Sequence, residues 1–223
     1  MGIRTHRLTF PLDAEAARTL RAGDLVVIDG EIVITAGMPT HERLLGCLDG
    51  REAAPMKLEG VSLFHLGSYS REVDGRFEIL YLNPTTSTRF NPYMPRLIEG
   101  FRWHAVGGKG GLDDRCAAAL AAVGGVYLSF LGGGCTLLSQ AIRRVLEVGW
   151  SDMLTHYRLV RLEVEGLGPA TVGIDAHGNS LYAERRQAAQ ERLPAIFEEL
   201  DRRRSGPSAS PSGIGKPLGN VDE

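Results

Sequence analysis

The sequence predicts an α/β protein, and three observations carry that expectation. The first third reads as strands joined by tight turns, the middle alternates strand, glycine turn and helix twice, and 28 glycines in 223 residues provide for many turns and close backbone approaches. The length allows a sizeable core in one domain, or one domain with a tail. The expected division is a domain over 1–204 and a disordered tail over 205–223, where serine, proline and glycine accumulate.

Taken in order, Arg7–Phe10 is a short strand before Pro11, and Asp13 caps a helix that runs to about Arg21. Leu25–Ile28, Asp29-Gly30 and Glu31–Ile34 read as a hairpin, because Asp-Gly between β-branched runs is a strong turn signal. Gly37 and Pro39 interrupt the next segment, and a helix begins near Thr40. Val61–Leu66 reads as a buried strand, and Asp74-Gly75 turns a second hairpin into the strand Phe77–Leu82. Asn91-Pro92 starts a helix that ends near Glu99. His104–Val106 is a strand, Asp113 and Asp114 suit the amino end of a helix dipole, and Cys116–Val123 is an alanine-rich helix. Val126–Leu131 is a buried strand, and Gly132-Gly133-Gly134 is a turn. Cys135–Leu146 reads as a helix that points Leu137, Leu138, Ile142 and Val145 at the core. The repeat of strand, glycine turn and helix is the βαβ signature of a parallel sheet, whose loops at the strand carboxyl ends build ligand sites. Leu159–Glu163 and Ala170–Ile174 look like closing strands, and Asn179–Leu200 contains a helix.

Composition excludes several functions. A formal net charge of -2 gives no electrostatic case for nucleic acid or an anionic membrane. Cys47, Cys116 and Cys135 are dispersed and odd in number, which argues against a disulfide framework, fits a reducing compartment, and lacks the close spacing of a local iron–sulfur or zinc site. The six histidines show no HxxxH or HExxH spacing. No signal peptide or membrane span is legible, so the expected location is cytoplasmic.

The chemistry concentrates in Asn83–Phe90, NPTTSTRF, and in the glycine-flanked lysine of Val106–Gly111, VGGKGG. Pro84 fixes its own φ and pushes Asn83 toward extended backbone, so the strand should end there and release a loop. Thr85, Thr86, Ser87 and Thr88 then offer hydroxyls, Arg89 offers a planar fork matched to a carboxylate, and Lys109 adds a point charge. The glycines would let backbone approach a ligand and expose amide donors. The same residues also fit ordinary turn chemistry, with the Thr85 hydroxyl bonded to backbone. Lys109 is followed by glycine, so this is not a phosphate-binding P-loop.

These stretches carry a family resemblance. Gly23-Asp24, Asn83-Pro84-Thr85-Thr86-Ser87-Thr88-Arg89, Gly108-Lys109-Gly110-Gly111, Gly134-Cys135, Trp150 and Ile174–Asn179 follow the order and spacing of one family over about Leu8 to Leu200. The chain resembles the β subunits of L(+)-tartrate dehydratase and the equivalent carboxyl-terminal domains of class I, iron–sulfur fumarate hydratases. The resemblance implies a swivelling β/β/α domain. It also implies reversible addition or removal of water on a small dicarboxylate, with a [4Fe-4S] cluster bound by a partner α subunit and not by this chain. Thr85 would match the threonine proposed as acid/base. Arg89 and Lys109 would match substrate-carboxylate ligands, with Thr86 and His41 as further substrate contacts.

Departures from the pattern bear on substrate. The family's Arg-Asp-x-x-His segment is here Gly37-Met38-Pro39-Thr40-His41, which keeps the histidine and lacks both charges. Losing one charge-assisted contact costs about 1.5–3 kcal/mol of binding. Arg43 could replace that charge, and His41 could be either a helix-start hydrogen-bonder or a ligand contact. Asp175 and His177 suggest a dyad, but Asp-x-His-Gly-Asn after a strand more commonly forms a turn with satisfied side chains. Two readings stay open: a hydro-lyase β subunit, or a non-catalytic subunit that binds a small acid through the same Thr/Arg/Lys site.

Overall fold

The computed structural model describes residues 2–133 and 135–205. Gly134, the side chain of Cys135 and the expected tail beyond residue 205 lie outside the described residues. The chain divides into two compact units, 1–183 and 184 onward. The first unit holds β1 (Thr5–Phe10), α1 (Ala14–Thr19), β2 (Leu25–Ile34), α2 (Met38–Leu48), β3 (Leu63–Phe64), β4 (Leu66–Val73) and β5 (Arg76–Pro84). It continues through a 3-10 turn (Ser87–Phe90), α3 (Met94–Phe101), β6 (Ala105–Gly108), α4 (Asp114–Val123), β7 (Val126–Ser129), α5 (Cys135–Gln140), β8 (Ile142–Gly149) and β9 (Leu159–Ile174). The second unit consists of the body of α6 (Leu181–Ser205), with Pro194 inside it. Leu193, Ile196, Phe197 and Leu200 recur along α6 at the spacing of one helix face.

Seven strands form one mixed sheet in the order β1-β2-β3-β6-β7-β9-β8, and β2 also pairs with β9. The path β2-β3-β6-β7-β9 therefore returns to β2 and closes on itself. Both faces of the central strands are buried as a result. Ile32, Ile34, Phe64 and Leu128 enter one apolar cluster, while their neighbours Val33, Leu63 and Tyr127 enter a second, shared with Leu44 of α2, Leu97 of α3 and Leu120 of α4. Alternation along each strand sorts the side chains between the two clusters. Asp13 caps α1 by accepting from Ala16 N at 2.8 Å, and Asp113 caps α4 by accepting from Cys116 N at 3.0 Å. The unit β6-α4-β7 is parallel, as the βαβ pattern requires. The mixed α/β class and the strand-rich first third agree with the sequence.

Three element assignments are corrected. Leu25–Ile34 is one continuous strand, not a hairpin at Asp29-Gly30. Its first half pairs with β1 and its whole length with β9, so Gly30, at φ +94°, makes a bulge instead of a turn. Asp29 accepts from Arg7 Nε at 2.6 Å and from Gly166 N at 2.8 Å, which anchors that bulge. The helix expected over Cys135–Leu146 ends at Gln140, and Ile142–Gly149 is an edge strand antiparallel to β9. The spacing of Ile142 and Val145 fits a helix, yet pairing with β9 selects the strand, with Ile142 opposite Val164 and Val145 opposite Leu162 against the same apolar cluster. Leu138 is buried, whereas Leu137 is 69 % exposed and does not face the core. The two expected closing strands are a single 16-residue β9 carried through Gly166 and Gly168 at positive φ. Asp74-Gly75 does turn a hairpin, between β4 and β5.

A Cβ at Gly30 would collide with the Phe10 carbonyl oxygen, and φ there is positive. Gly30→Ala is expected to lower unfolding stability by about 1–3 kcal/mol, read from urea denaturation of the full chain. Unchanged stability would show that the bulge is not a rigid part of β2.

Candidate functional site

The site forms where β5 leaves the hairpin and β6 leaves the sheet. Pro84 ends β5, and Thr85 N donates to the His65 carbonyl at 2.9 Å. Lys109 N donates to the Thr85 carbonyl at 3.0 Å, and Ser87 N donates to the Lys109 carbonyl at 2.7 Å. Thr86 and Lys109 thus bridge as in a parallel ladder, and the two motifs become one structure. The glycines make this approach feasible. A Cβ at Gly108 would collide with Ser87 Oγ, one at Gly110 would lie 3.1 Å from Thr86 Cγ2, and one at Gly111 would lie 2.8 Å from the Tyr182 ring. Their space is taken by this chain's own side chains. That use differs from the ligand approach expected from sequence.

On this frame Arg89 Nη2 donates to Thr85 Oγ1 at 2.5 Å. A Cβ at Gly132, in the segment after β7, would lie 3.9 Å from Lys109 Nζ, so the ammonium stands beside that segment. Thr86 is half-buried beside them, and Thr88 Oγ1 donates to the Gly110 carbonyl at 3.1 Å. Among the described residues neither Arg89 nor Lys109 has a carboxylate at ion-pair distance. Many arginines elsewhere are paired: Arg4 with Asp24, Arg7 with Asp29, Arg43 with Glu52, and Arg158 with Glu72. Two cations and a threonine hydroxyl without a protein counter-anion suit a small acid.

Behind the loop lies a buried polar chain. Tyr127 OH donates to Ser87 Oγ at 2.9 Å, Ser87 Oγ is 2.8 Å from His65 Nδ1, His65 Nε2 is 3.2 Å from His41 Nε2, and His41 Nδ1 is 2.6 Å from the Gly37 carbonyl. A carbonyl only accepts, so His41 carries its proton on Nδ1. With both rings neutral, His41 Nε2 then accepts from His65 Nε2–H, and His65 Nδ1 accepts from the Ser87 hydroxyl. His41, His65 and Ser87 are fully buried, and Phe90 stacks on His41 at 4.1 Å between ring centroids. Burial pushes His41 down to about 4, and the Arg89 charge adds to the effect. Burial, His41 and Arg89 likewise hold His65 well below the ordinary histidine value. Sequence reasoning missed His65 and Tyr127 and gave Ser87 no separate role. The available signal was polar residues inside apolar strand runs, Val61–Leu66 and Val126–Leu128, where buried polar atoms require partners.

The loop geometry coincides with a known sequence family. The model of the family described as Fumarase C-terminus matches residues 5–185. The chain belongs to the Fumarase C-terminus family. It is 32% identical over 187 residues to a putative L(+)-tartrate dehydratase subunit beta of Methanocaldococcus jannaschii, covering 83% of this chain and 95% of the relative. It is 30% identical over 193 residues to the L(+)-tartrate dehydratase subunit beta of Escherichia coli K12, covering 86% and 94%. A putative fumarate hydratase class I of Geobacillus stearothermophilus is 32% identical over 203 residues, covering 88% of this chain and 37% of that longer protein.

Within this Fumarase C-terminus chain the other sequence candidates also have places. A Cβ at Gly37 would lie 2.9 Å from Tyr157 Cβ and collide with Thr40 Oγ1, so a larger residue does not fit there. Arg43 is committed elsewhere, to Glu52 at 2.8 Å, Asp152 at 2.9 Å and the Trp150 ring at 4.6 Å. Asp175 accepts from His177 N at 2.9 Å, Asn179 N at 3.1 Å and Asn179 Nδ2 at 2.9 Å, an arrangement of a satisfied turn. Burial pushes the Asp175 carboxyl up, but these bonds outweigh it and leave the group below the usual carboxylate range. A cavity of about 570 Å³ lined by Glu72, Phe77, Glu147 and Arg158 contains none of the site residues. Among the described residues no three His, Cys, Asp or Glu side chains converge to hold a metal. Burial raises the Cys47 and Cys116 thiols, which disfavours thiolate ligation. Among the described residues Cys47 and Cys116 therefore belong to no convergent donor group that could hold a cluster.

A histidine that is neutral when folded and titrates near 6.5 when unfolded makes the unfolded chain bind more protons at acid pH. Stability should fall as pH drops from about 6.5 toward 4. The His41 contribution approaches ~3 kcal/mol at the acid end. Denaturant titrations at several pH values are expected to give a shallower slope for His41→Gln. Identical slopes in the two proteins would remove His41 as the cause.

Proposed function

We propose that this chain is the β subunit of an iron–sulfur hydro-lyase that adds or removes water on a small dicarboxylate of the fumarate/malate or L-tartrate type. A partner α subunit supplies the [4Fe-4S] cluster, and the assembly works in the cytoplasm. The observation that carries this reading is that, among the described residues, Arg89 and Lys109 have no carboxylate partner, with Arg89 on the Thr85 hydroxyl and Lys109 joined through its backbone to the same loop. The names of relatives that span nearly the same length support the hydro-lyase class. Arg89 is exposed, and the loop is not enclosed in the described cavity, which fits a site completed by a second protein surface.

In this reading Arg89 and Lys109 hold the substrate carboxylates, and Thr86 lines the same edge. Thr85 acts at the carbon that loses or gains the proton. Its oxygen already accepts from the Arg89 guanidinium, so the charge that develops when Thr85 takes part in proton transfer meets a cation in place. A threonine hydroxyl is a poor base in water, so exclusion of solvent by the partner is part of the proposal. A second reading, a small-acid-binding subunit without turnover, is favoured by the closed space at Gly37 and the commitment of Arg43, which leave this edge without a further cation.

The test is anaerobic hydration and dehydration of a C4 to C5 dicarboxylate panel by this chain co-produced with its α partner. Thr85→Ala is expected to lower kcat by about 100-fold or more with the complex intact. Arg89→Ala is expected to lower kcat/KM by about 10- to 100-fold. A cluster-loaded complex that binds these acids and converts none of them would replace the first reading with the second.

A further inference from the structure

Resting on the hydro-lyase reading of the loop, we propose that His65 is the positioning residue of the site. Together with Ser87 and His41 it forms a directional hydrogen-bond chain that sets where the Thr85 hydroxyl stands. His65 is the single residue between β3 of the seven-stranded sheet and β4 of the hairpin. Its N–H donates to the Gly107 carbonyl at 2.7 Å, and its carbonyl accepts from Thr85 N at 2.9 Å. Its Nδ1 accepts from Ser87 Oγ at 2.8 Å, and its Nε2 donates to His41 Nε2 at 3.2 Å. One residue thereby fixes the end of β6, the start of the loop, the middle of the loop and the first turn of α2.

The chemistry of the chain supports positioning over simple filling of space. Replacing both members of a buried hydrogen-bonded pair by apolar groups of the same shape is close to neutral for stability. What such a replacement loses is direction. The neutral tautomers are forced in series from the Gly37 carbonyl to the Ser87 hydroxyl, so the Ser87 oxygen has one orientation. Ser87 N in turn holds the Lys109 carbonyl, and Lys109 N holds the Thr85 carbonyl. Gly108 is essential to this arrangement, because a Cβ there would collide with Ser87 Oγ and lie 2.9 Å from His65 Cβ. None of these side chains touches the Thr85 hydroxyl, so the effect on chemistry passes through the backbone of the loop.

The first measurement needs no variant. Long-range ¹H–¹⁵N spectra of the full chain labelled in histidine should show His41 protonated on Nδ1 and His65 on Nε2 at neutral pH. The same tautomer on both rings, or a charged ring, would overturn the chain. The second measurement uses the complex with the α partner. His65→Phe combined with Ser87→Ala leaves the Tyr127 hydroxyl and His41 Nε2 without partners and so lowers stability; assayed where circular dichroism shows the complex folded, it is expected to lower kcat by about 100-fold with KM within about threefold, since Arg89 and Lys109 remain to bind the acid. His65→Asn, which keeps an acceptor near the Nδ1 position, should recover part of that loss. Wild-type kcat in the double variant, or equal losses in His65→Phe and His65→Asn, would overturn the proposal. Should the wild-type complex prove inactive, the hydro-lyase reading fails. The positioning inference is then decided by exchange of the Thr85 amide, expected to be at least tenfold faster in the double variant; unchanged exchange would overturn it.

Discussion

The pairing of β2 with β9 governs much of the first unit. It returns the strand path to its starting point, so strands such as β3, β6 and β7 are covered on both faces. A strand covered on both faces accepts polar atoms only where they have partners. Tyr127 sits at such a position in β7 and His65 directly follows β3, and each finds its partner in Ser87 or His41. The closed sheet therefore dictates the polar chain, and the polar chain fixes the loop. The connection runs from strand topology to the placement of one hydroxyl.

Charge is distributed in a matching way. Arginines around the strands are matched by carboxylates, as with Arg7 and Asp29 or Arg144 and Glu163. At exposed positions such pairs contribute little to stability, but they leave no net potential. Arg89 and Lys109 have no such match among the described residues, so the positive potential persists at the loop. The two histidines beneath remain neutral partly because Arg89 opposes a further positive charge.

How much was legible in the sequence can be judged from residues that share a signature and meet different ends. Asp74-Gly75 and Asp29-Gly30 are the same dipeptide between strand-like runs, yet only the first turns the chain. What separates them is β9, more than a hundred positions later, which extends β2 through the bulge. Ile142–Gly149 departs from its helical spacing for the same reason, since the β9 ladder that pairs with it lies later in the chain. Local signals carried the caps at Asp13 and Asp113 and the end of β5 at Pro84, because those depend on neighbours in the chain. The loop and Lys109 were legible as neighbours through residue chemistry and family pattern, and the structure joins them by backbone hydrogen bonds. The histidine chain was not, because its members are 24 and 22 positions apart and its central link, His65, belongs to no motif.

The glycines unite these strands of reasoning. Around Lys109 they first suggest a backbone laid open for a ligand, but in the structure Ser87, Thr86 and Tyr182 occupy the space they leave. Gly37 behaves in the same manner, with Tyr157 filling the position of a side chain. In both places small residues bring the chain against itself, once to hold the cations and hydroxyl in register and once to exclude a further charge. The acid site proposed for the loop therefore draws its rigidity from packing within this chain, because the space that the glycines leave is already filled.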